Sequence, residues 1–245
     1  FFPGIAGAHG IPMWVFYVNR AQCICSVGIE DKEHPIMEFL SANRAFQLAG
    51  NQGFRTFLKL ISGGKTAFYE PFQDERPSQK MVRKQRMIIR PAQLTLEEEN
   101  ETLQLRFVVD YFNVPEDEYA GLVRVLRIEN QSGKKIRFEI LDGLPLIIPY
   151  GVDNYNLKHM RRLVESFVEC INYDTGVPFF KGRVKQEDRP EVVRIKEGNF
   201  YLGFVEGARG KMQIVRPLVD PEFVFGALTN YSHPQAFLDR TPFRI

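Results

Sequence analysis

The chain has 245 residues, 44% of them hydrophobic and 25% charged, a composition that supplies a core and excludes disorder along its length. A formal charge of +2, from 32 Lys and Arg against 30 Asp and Glu, is too even for a nucleic-acid footprint, and the basic run 80–86 is offset by acidic runs such as Glu97-Glu98-Glu99. No apolar run reaches the roughly 18 residues of a membrane helix, and the length fits one large β domain or two ordinary ones.

The opening "FFPGIAGAHGIP" lacks the charged start and long apolar middle of a secretory signal, and with no initiating Met the chain is expected to be a piece of a longer polypeptide. Cys23-Ile24-Cys25 sets two of the three cysteines on one side of a predicted strand, at a spacing unsuited to an ordinary disulfide or a zinc knuckle. Buried free thiols and a cytoplasmic location are the expectation. The stretch "SGGKTAF" (62–68) imitates a phosphate-binding loop, but Lys59 stands where its first glycine belongs and a strand-like "TAFYEPF" follows in place of a helix, so a turn is predicted. Asp74-Glu75 and Glu116-Asp117-Glu118 read as loops kept soluble by charge.

From residue 93 onward the pattern has a period of two. A run from Gln93 to Glu97, an acidic turn and "TLQLRFVVDYF" predict a hairpin whose second strand buries Leu103, Leu105, Phe107, Val109 and Tyr111 and turns Gln104, Arg106 and Asp110 outward. "LVRVLRIENQSGKKIRFEILDGLPLIIPYG" (122–151) predicts a second hairpin. Leu126 and Ile128 share a face of its first strand, Asn130-Gln131-Ser132-Gly133 makes the turn, and Phe138 and Ile140 alternate with Arg137 and Glu139 in the second strand. The segment 142–152 then links to "NYNLKHMRRLVESFVECI". There Met160, Leu163, Val164, Phe167, Val168 and Ile171 recur at three and four, opposite Lys158, Arg161, Arg162, Glu165 and Glu169. An amphipathic helix over 154–171 follows, capped by Asp153 or Asn154. Later strands turn at Glu197-Gly198-Asn199 and at Gly207-Ala208-Arg209-Gly210. The fold class is mainly β: a large antiparallel sandwich with one amphipathic helix packed on it.

Chemistry is harder to find. His9, His34, His159 and His233 have no metal-ligand spacing, and neither a nucleophile elbow nor a reactive-cysteine signature occurs, so no catalytic, metal or cofactor residue is assigned. Among 21 Phe, 9 Tyr and one Trp, most rings belong to the core; Trp14, Tyr17, Tyr150 and Tyr155 are the candidate sugar platforms.

The alternating "WVFYVN", the block "PIMEFLSANRAFQ" with "GFRTFLK", and the stretch 122–151 resemble the N-terminal β-supersandwich of cellobiose-phosphorylase-type glycoside phosphorylases, which is galactose-mutarotase-like. The resemblance covers most of residues 1–245 and implies a single domain, although "PIMEFLSANRAFQ" departs from the cellobiose enzymes and leaves the sugar open. In that family inorganic phosphate attacks the anomeric carbon of a β-glucoside with inversion, and an aspartic acid in a following (α/α)6 barrel protonates the leaving sugar. The implied role for this chain is noncatalytic: to pack on the barrel, join two copies into a homodimer and lend a loop to the sugar site. The alternatives are a stand-alone carbohydrate-binding module, which needs an exposed aromatic platform, and an aldose-epimerase-like enzyme, which needs a histidine facing a carboxylate across a cleft.

Overall fold

The computed structural model describes residues 2–3, 6–73, 80–160, 162–186 and 190–239. Asp74, Glu75 and Arg161, read above as loop and helix-face charges, lie outside them. Strands β1 (Phe2–Pro3), β2 (Met13–Tyr17), β3 (Ile24–Ile29) and β4 (Pro35–Met37) form a first antiparallel sheet in that order. Helix α1 (Ala42–Gln52) packs on β3, with Ala45 and Ala49 against Cys25. Strands β5 (Arg55–Ser62) and β6 (Lys65–Tyr69) make a hairpin around Gly63-Gly64, both at positive φ as a two-residue hairpin loop requires. The phosphate-loop imitation is thus a turn. Strands β7 (Arg83–Arg90), β8 (Gln93–Asn100), β9 (Leu105–Asn113) and β10 (Leu122–Asn130) form a second sheet, ordered β10-β9-β8-β7. Strand β11 (Arg137–Gly143) returns to pair with β5 in a third sheet, β11-β5-β6.

One core joins the three sheets. Met13, Val15 and Ile24 enter it from the first, Leu94, Phe107 and Tyr111 from the second, and Leu58 and Tyr69 from the third. The four-stranded sheet β10-β9-β8-β7 is one layer and the other two sheets together are the second, which makes a mainly antiparallel β-sandwich. The apolar face read in β9 is buried, with Leu105, Phe107, Val109 and Tyr111 at most 1% exposed, but the opposite face is not solvated throughout: Val108 is 7% exposed, and Asp110, expected outward, is 5% exposed and accepts from Gln93, Thr95 and Arg127.

Four local expectations are corrected. The acidic turn expected directly after Glu97 comes later: β8 continues to Asn100, and its parity drives Glu98 inward at 0% exposure while Glu97 pairs across the ladder with Arg86. The stretch 122–141 is not a hairpin. β10 pairs with β9 and β11 with β5, so the turn after Asn130 carries the chain from one layer to the other, and Leu126, Ile128 and Phe138 each pack against the shared core. Turn residues fix a chain reversal; they do not fix which neighbour supplies the hydrogen bonds. Ile140 sits opposite the fully buried Leu58, yet β11 is the outer strand of its sheet and leaves Ile140 44% exposed. Cys23 and Cys25 are buried and free, but on different sides: a φ of 68° at Cys23 turns its side chain into the main core, while Cys25 lies under α1.

Beyond β11 the chain builds a smaller, thinner region. Asp153 does cap, accepting the Asn156 N–H at 2.7 Å, but the helix is only a π-helical turn, Asn156–Met160, and α2 (Arg162–Glu165). Strand β12 (Val168–Ile171) follows and pairs with β13 (Phe179–Gly182), which pairs with β14 (Asn199–Phe200). Phe167 lies in the turn between α2 and β12. The apolar residues spaced at three and four include the β-branched Val168 and Ile171, which suit a pleated strand, and Leu163, at the middle of the expected stripe, is 58% exposed. Strands β15 (Gly203–Glu206) and β16 (Met212–Val215) form a separate two-stranded sheet around the predicted turn 207–210. The last described segment folds back as α3 (Glu222–Phe225) and α4 (Gln235–Asp239), laying Val224, Phe225 and Phe237 on Phe57 of β5.

Candidate functional site

Strand β5 explains why charge is buried here. Thr56 is buried toward the seam with β10 and β11, Leu58 enters the core, and Arg55, Phe57 and Lys59 face the C-terminal segment that covers the opposite side. Arg55, 3% exposed, grips Glu70 through two prongs (Nε–Oε1 2.6 Å, Nη2–Oε2 2.9 Å), donates to the Tyr231 carbonyl and lies 4.6 Å over the Phe57 ring. Lys59, 1% exposed, sits 2.9 Å from the Glu139 carboxylate and donates to the Phe237 carbonyl at 3.1 Å. Two buried cations therefore tie the covering segment down by its own backbone oxygens.

A second cluster closes the sandwich. Arg124 of β10 makes a two-pronged pair with Asp142 of β11, and its Nη2 also reaches Gln22 Oε1 at 2.6 Å and Thr56 Oγ1 at 3.1 Å. Its Nε donates to the Tyr111 hydroxyl at 3.3 Å, and that hydroxyl donates to the Gln22 carbonyl at 3.0 Å. Burial by itself lowers the Arg124 guanidinium pKa, but the Asp142 carboxylate more than offsets it and holds that pKa above its ordinary value. Glu98 forms a third cluster, accepting from the Phe72 N–H (2.7 Å), Gln85 Nε2 (2.6 Å) and the Tyr69 hydroxyl. Burial first, then the Glu98 charge, pushes the Tyr69 phenol up. Protein donors and acceptors occupy these groups, which is how polar clusters fasten elements together; an acid–base pair needs an atom turned toward substrate.

The candidate sugar platforms do not assemble. Trp14, 40% exposed, stands on the outer face of β2 with its ring 6.3 Å from Phe16, whereas Tyr17 packs on the core. Tyr150 belongs to a segment that runs past β4, where Ile148 N–H bonds the Ile36 carbonyl, and its own backbone bridges to β13. Tyr155, 63% exposed, stacks on His159 with ring centroids 4.6 Å apart. Strands β3 and β4 thus separate the first pair from the second. The histidines stay scattered: His34 makes an exposed contact with Asp31 at 3.0 Å, and His233 rests edge-on against Phe68. Among the described residues no cluster of three His, Cys, Asp or Glu could hold a metal ion. A cleft beneath α1, lined by Cys25, Met37, Leu48, Gln52, Leu146 and Ile148, offers about 30 Å³, room for a water and not for a sugar ring.

What the molecule does present is apolar surface in its later part. The large exposed apolar side chains concentrate after residue 150, with Leu163, Val192, Phe204, Val205, Met212 and Ile214 all more than half exposed. The chain exposes 14978 Å², about a third more than the roughly 11,200 Å² expected of a compact monomer of 28.4 kDa. No protein-family model matches the chain, and no curated protein matches it. The likeness to phosphorylase sandwiches rests on the quoted residues alone. The exposed strands carried a signal that period-two reading passes over: Phe204-Val205 and Ile214-Val215 are adjacent apolar residues, so both faces of that ribbon are apolar. Arg55 and Lys59 carried none, since they alternate with apolar residues as a solvated face would.

Proposed function

We propose that this chain is a noncatalytic sandwich domain, residues 1–245, of a carbohydrate-active glycoside phosphorylase, working in the cytoplasm and packing on a helical barrel that carries the chemistry. The observation that carries the noncatalytic part is the state of the buried charges: the carboxylates of Glu70, Glu98 and Asp142 are engaged by two or more protein donors each. The family part is supported by the resemblance of residues 14–19, 35–47 and 122–151 and by the antiparallel sandwich that those residues help to build. Apolar surface after residue 150 supports a packing role, and three free thiols suit a reducing compartment. Inorganic phosphate is the co-substrate of the longer enzyme, a β-glucoside its sugar substrate, and dimerisation a further role of the domain.

A free carbohydrate-binding module is the second reading, and the exposed Trp14 and Tyr155 are what it has in its favour. Isothermal titration of the chain with cellobiose and with glucose separates the two. The domain reading expects no heat of binding from the chain alone. Millimolar or tighter affinity, lost on Trp14→Ala or Tyr155→Ala, would replace it with the module.

A further inference from the structure

The ribbon β15–β16 is short of a strand. Among the described residues it pairs with no other sheet, so each of its strands has one edge whose backbone groups lack a ladder partner. All four residues of β16 are exposed, Met212 at 56% and Ile214 at 59%, and Phe204 beside Ile214 is 51% exposed. Two strands with both faces in water are marginal by themselves; a third strand supplies the missing hydrogen bonds and covers apolar side chains.

Charge selects the occupant. β16 lies between Lys211 and Arg216, both exposed, so the sequence along this edge is a cation, four residues of mainly apolar character and a cation. Two copies of the edge paired antiparallel would set Lys211 of one opposite Arg216 of the other, a like-charge contact at both ends. An incoming strand with acidic flanks instead meets a cation at each end. A bilayer fits less well, because the tip 207–210 carries Arg209 and no large apolar side chain, while the apolar residues run along the body of the ribbon.

We infer that the free edge of β16 docks an extended segment of another polypeptide, with apolar residues between acidic flanks, by strand addition. The inference does not depend on the carbohydrate reading. Lys211 and Arg216 set direction and choice, the β16 backbone supplies the ladder, and Phe204, Met212 and Ile214 receive the partner's apolar side chains.

The test uses the 245-residue chain and two fluorescein-labelled peptides sharing a Val-Thr-Val-Thr centre, one flanked by Glu and one by Lys, read by fluorescence anisotropy. The Glu-flanked peptide is expected to bind roughly tenfold tighter than the Lys-flanked one, with the gap shrinking as salt rises. Lys211→Glu with Arg216→Glu, both surface changes, should reverse the preference while the melting temperature holds. Absence of binding would mean that the flanking cations only guard the edge against aggregation, and it overturns the inference. So does equal binding of the two peptides, or a preference that survives the charge reversal. Self-association abolished by Ile214→Asp would give the edge to a second copy, and binding to phosphatidylserine vesicles without peptide binding would give it to a membrane; either also refutes it.

Discussion

Asp142→Ala should be among the most damaging single changes at a polar position, because it strands Arg124. The Arg124 side chain is 7% exposed, and Asp142 meets it with both oxygens while also accepting the Thr56 hydroxyl at 2.5 Å. Removing one partner of a buried pair costs about 3 to 5 kcal/mol, since the remaining charge stays out of water; the 27% exposure of Asp142 places the expected loss at the lower end. For a chain of this size that is a fall in Tm of about 6 to 12 °C. Arg124→Met combined with Asp142→Leu removes both charges, leaves Tyr111 its bond to the Gln22 carbonyl, and should recover most of the loss. Urea unfolding followed by circular dichroism, run on both singles and the double, gives the coupling directly. A loss below about 1 kcal/mol for Asp142→Ala, or a double variant as unstable as the sum of the singles, would mean that the pair does not fasten the two layers.

Further outcomes follow from burial. Leu58→Asp should unfold the sandwich, whereas Ile140→Asp, at the exposed position directly opposite, should cost about 1 kcal/mol or less in a thermal melt. Phe237→Ala should cost about 3 to 5 kcal/mol and loosen the covering segment, seen as faster amide exchange in 218–239 than in β9; equal protection would mean that the segment is no separate unit. Titration with a thiol reagent at pH 8 should label Cys170 first and reach Cys23 and Cys25 only on unfolding, because burial pushes the Cys23 thiol up to about 12 and raises that of Cys25. The sign is that of an acid held protonated in the fold. Stability should be intact below about pH 9 and fall toward pH 12 by roughly 1.4 kcal/mol per pH unit for Cys23, a slope that Cys23→Ala removes.

Parity was legible from the residues wherever one face of a strand met the core. Leu105, Phe107, Val109 and Tyr111 alternate because β9 is the centre of the sandwich, and Gly63-Gly64 marks its hairpin because only glycine takes that φ at no cost. Pairing was not legible. Leu126 and Phe138 look the same whether their strands share a ladder or lie in different sheets around one core, and here they lie in different sheets. Helix α1 is not legible in the sequence because its buried positions are Ala45, Ala49 and Gly50, too small to make an apolar stripe. The stripe over 154–171 stood out and still failed, since the local cluster of Ile148, Val152 and Val164 is too small to hold four turns of helix against the strand preference of Val168 and Ile171. Of the four aromatic candidates, the sequence told neither that Trp14 is exposed and Tyr17 packed on the core nor that Tyr150 lies beyond β4.

The proposed noncatalytic role is tested most directly by incubating the purified 245-residue chain with cellobiose and inorganic phosphate and measuring glucose 1-phosphate, beside the longer polypeptide that the proposal supposes to carry the barrel. The expected result is no release from the chain alone and phosphorolysis of a β-glucoside by the longer protein. Release by the chain alone that disappears on Asp142→Asn or Glu98→Gln would contradict it, because a carboxylate assigned here to holding the sandwich together would then be carrying the reaction.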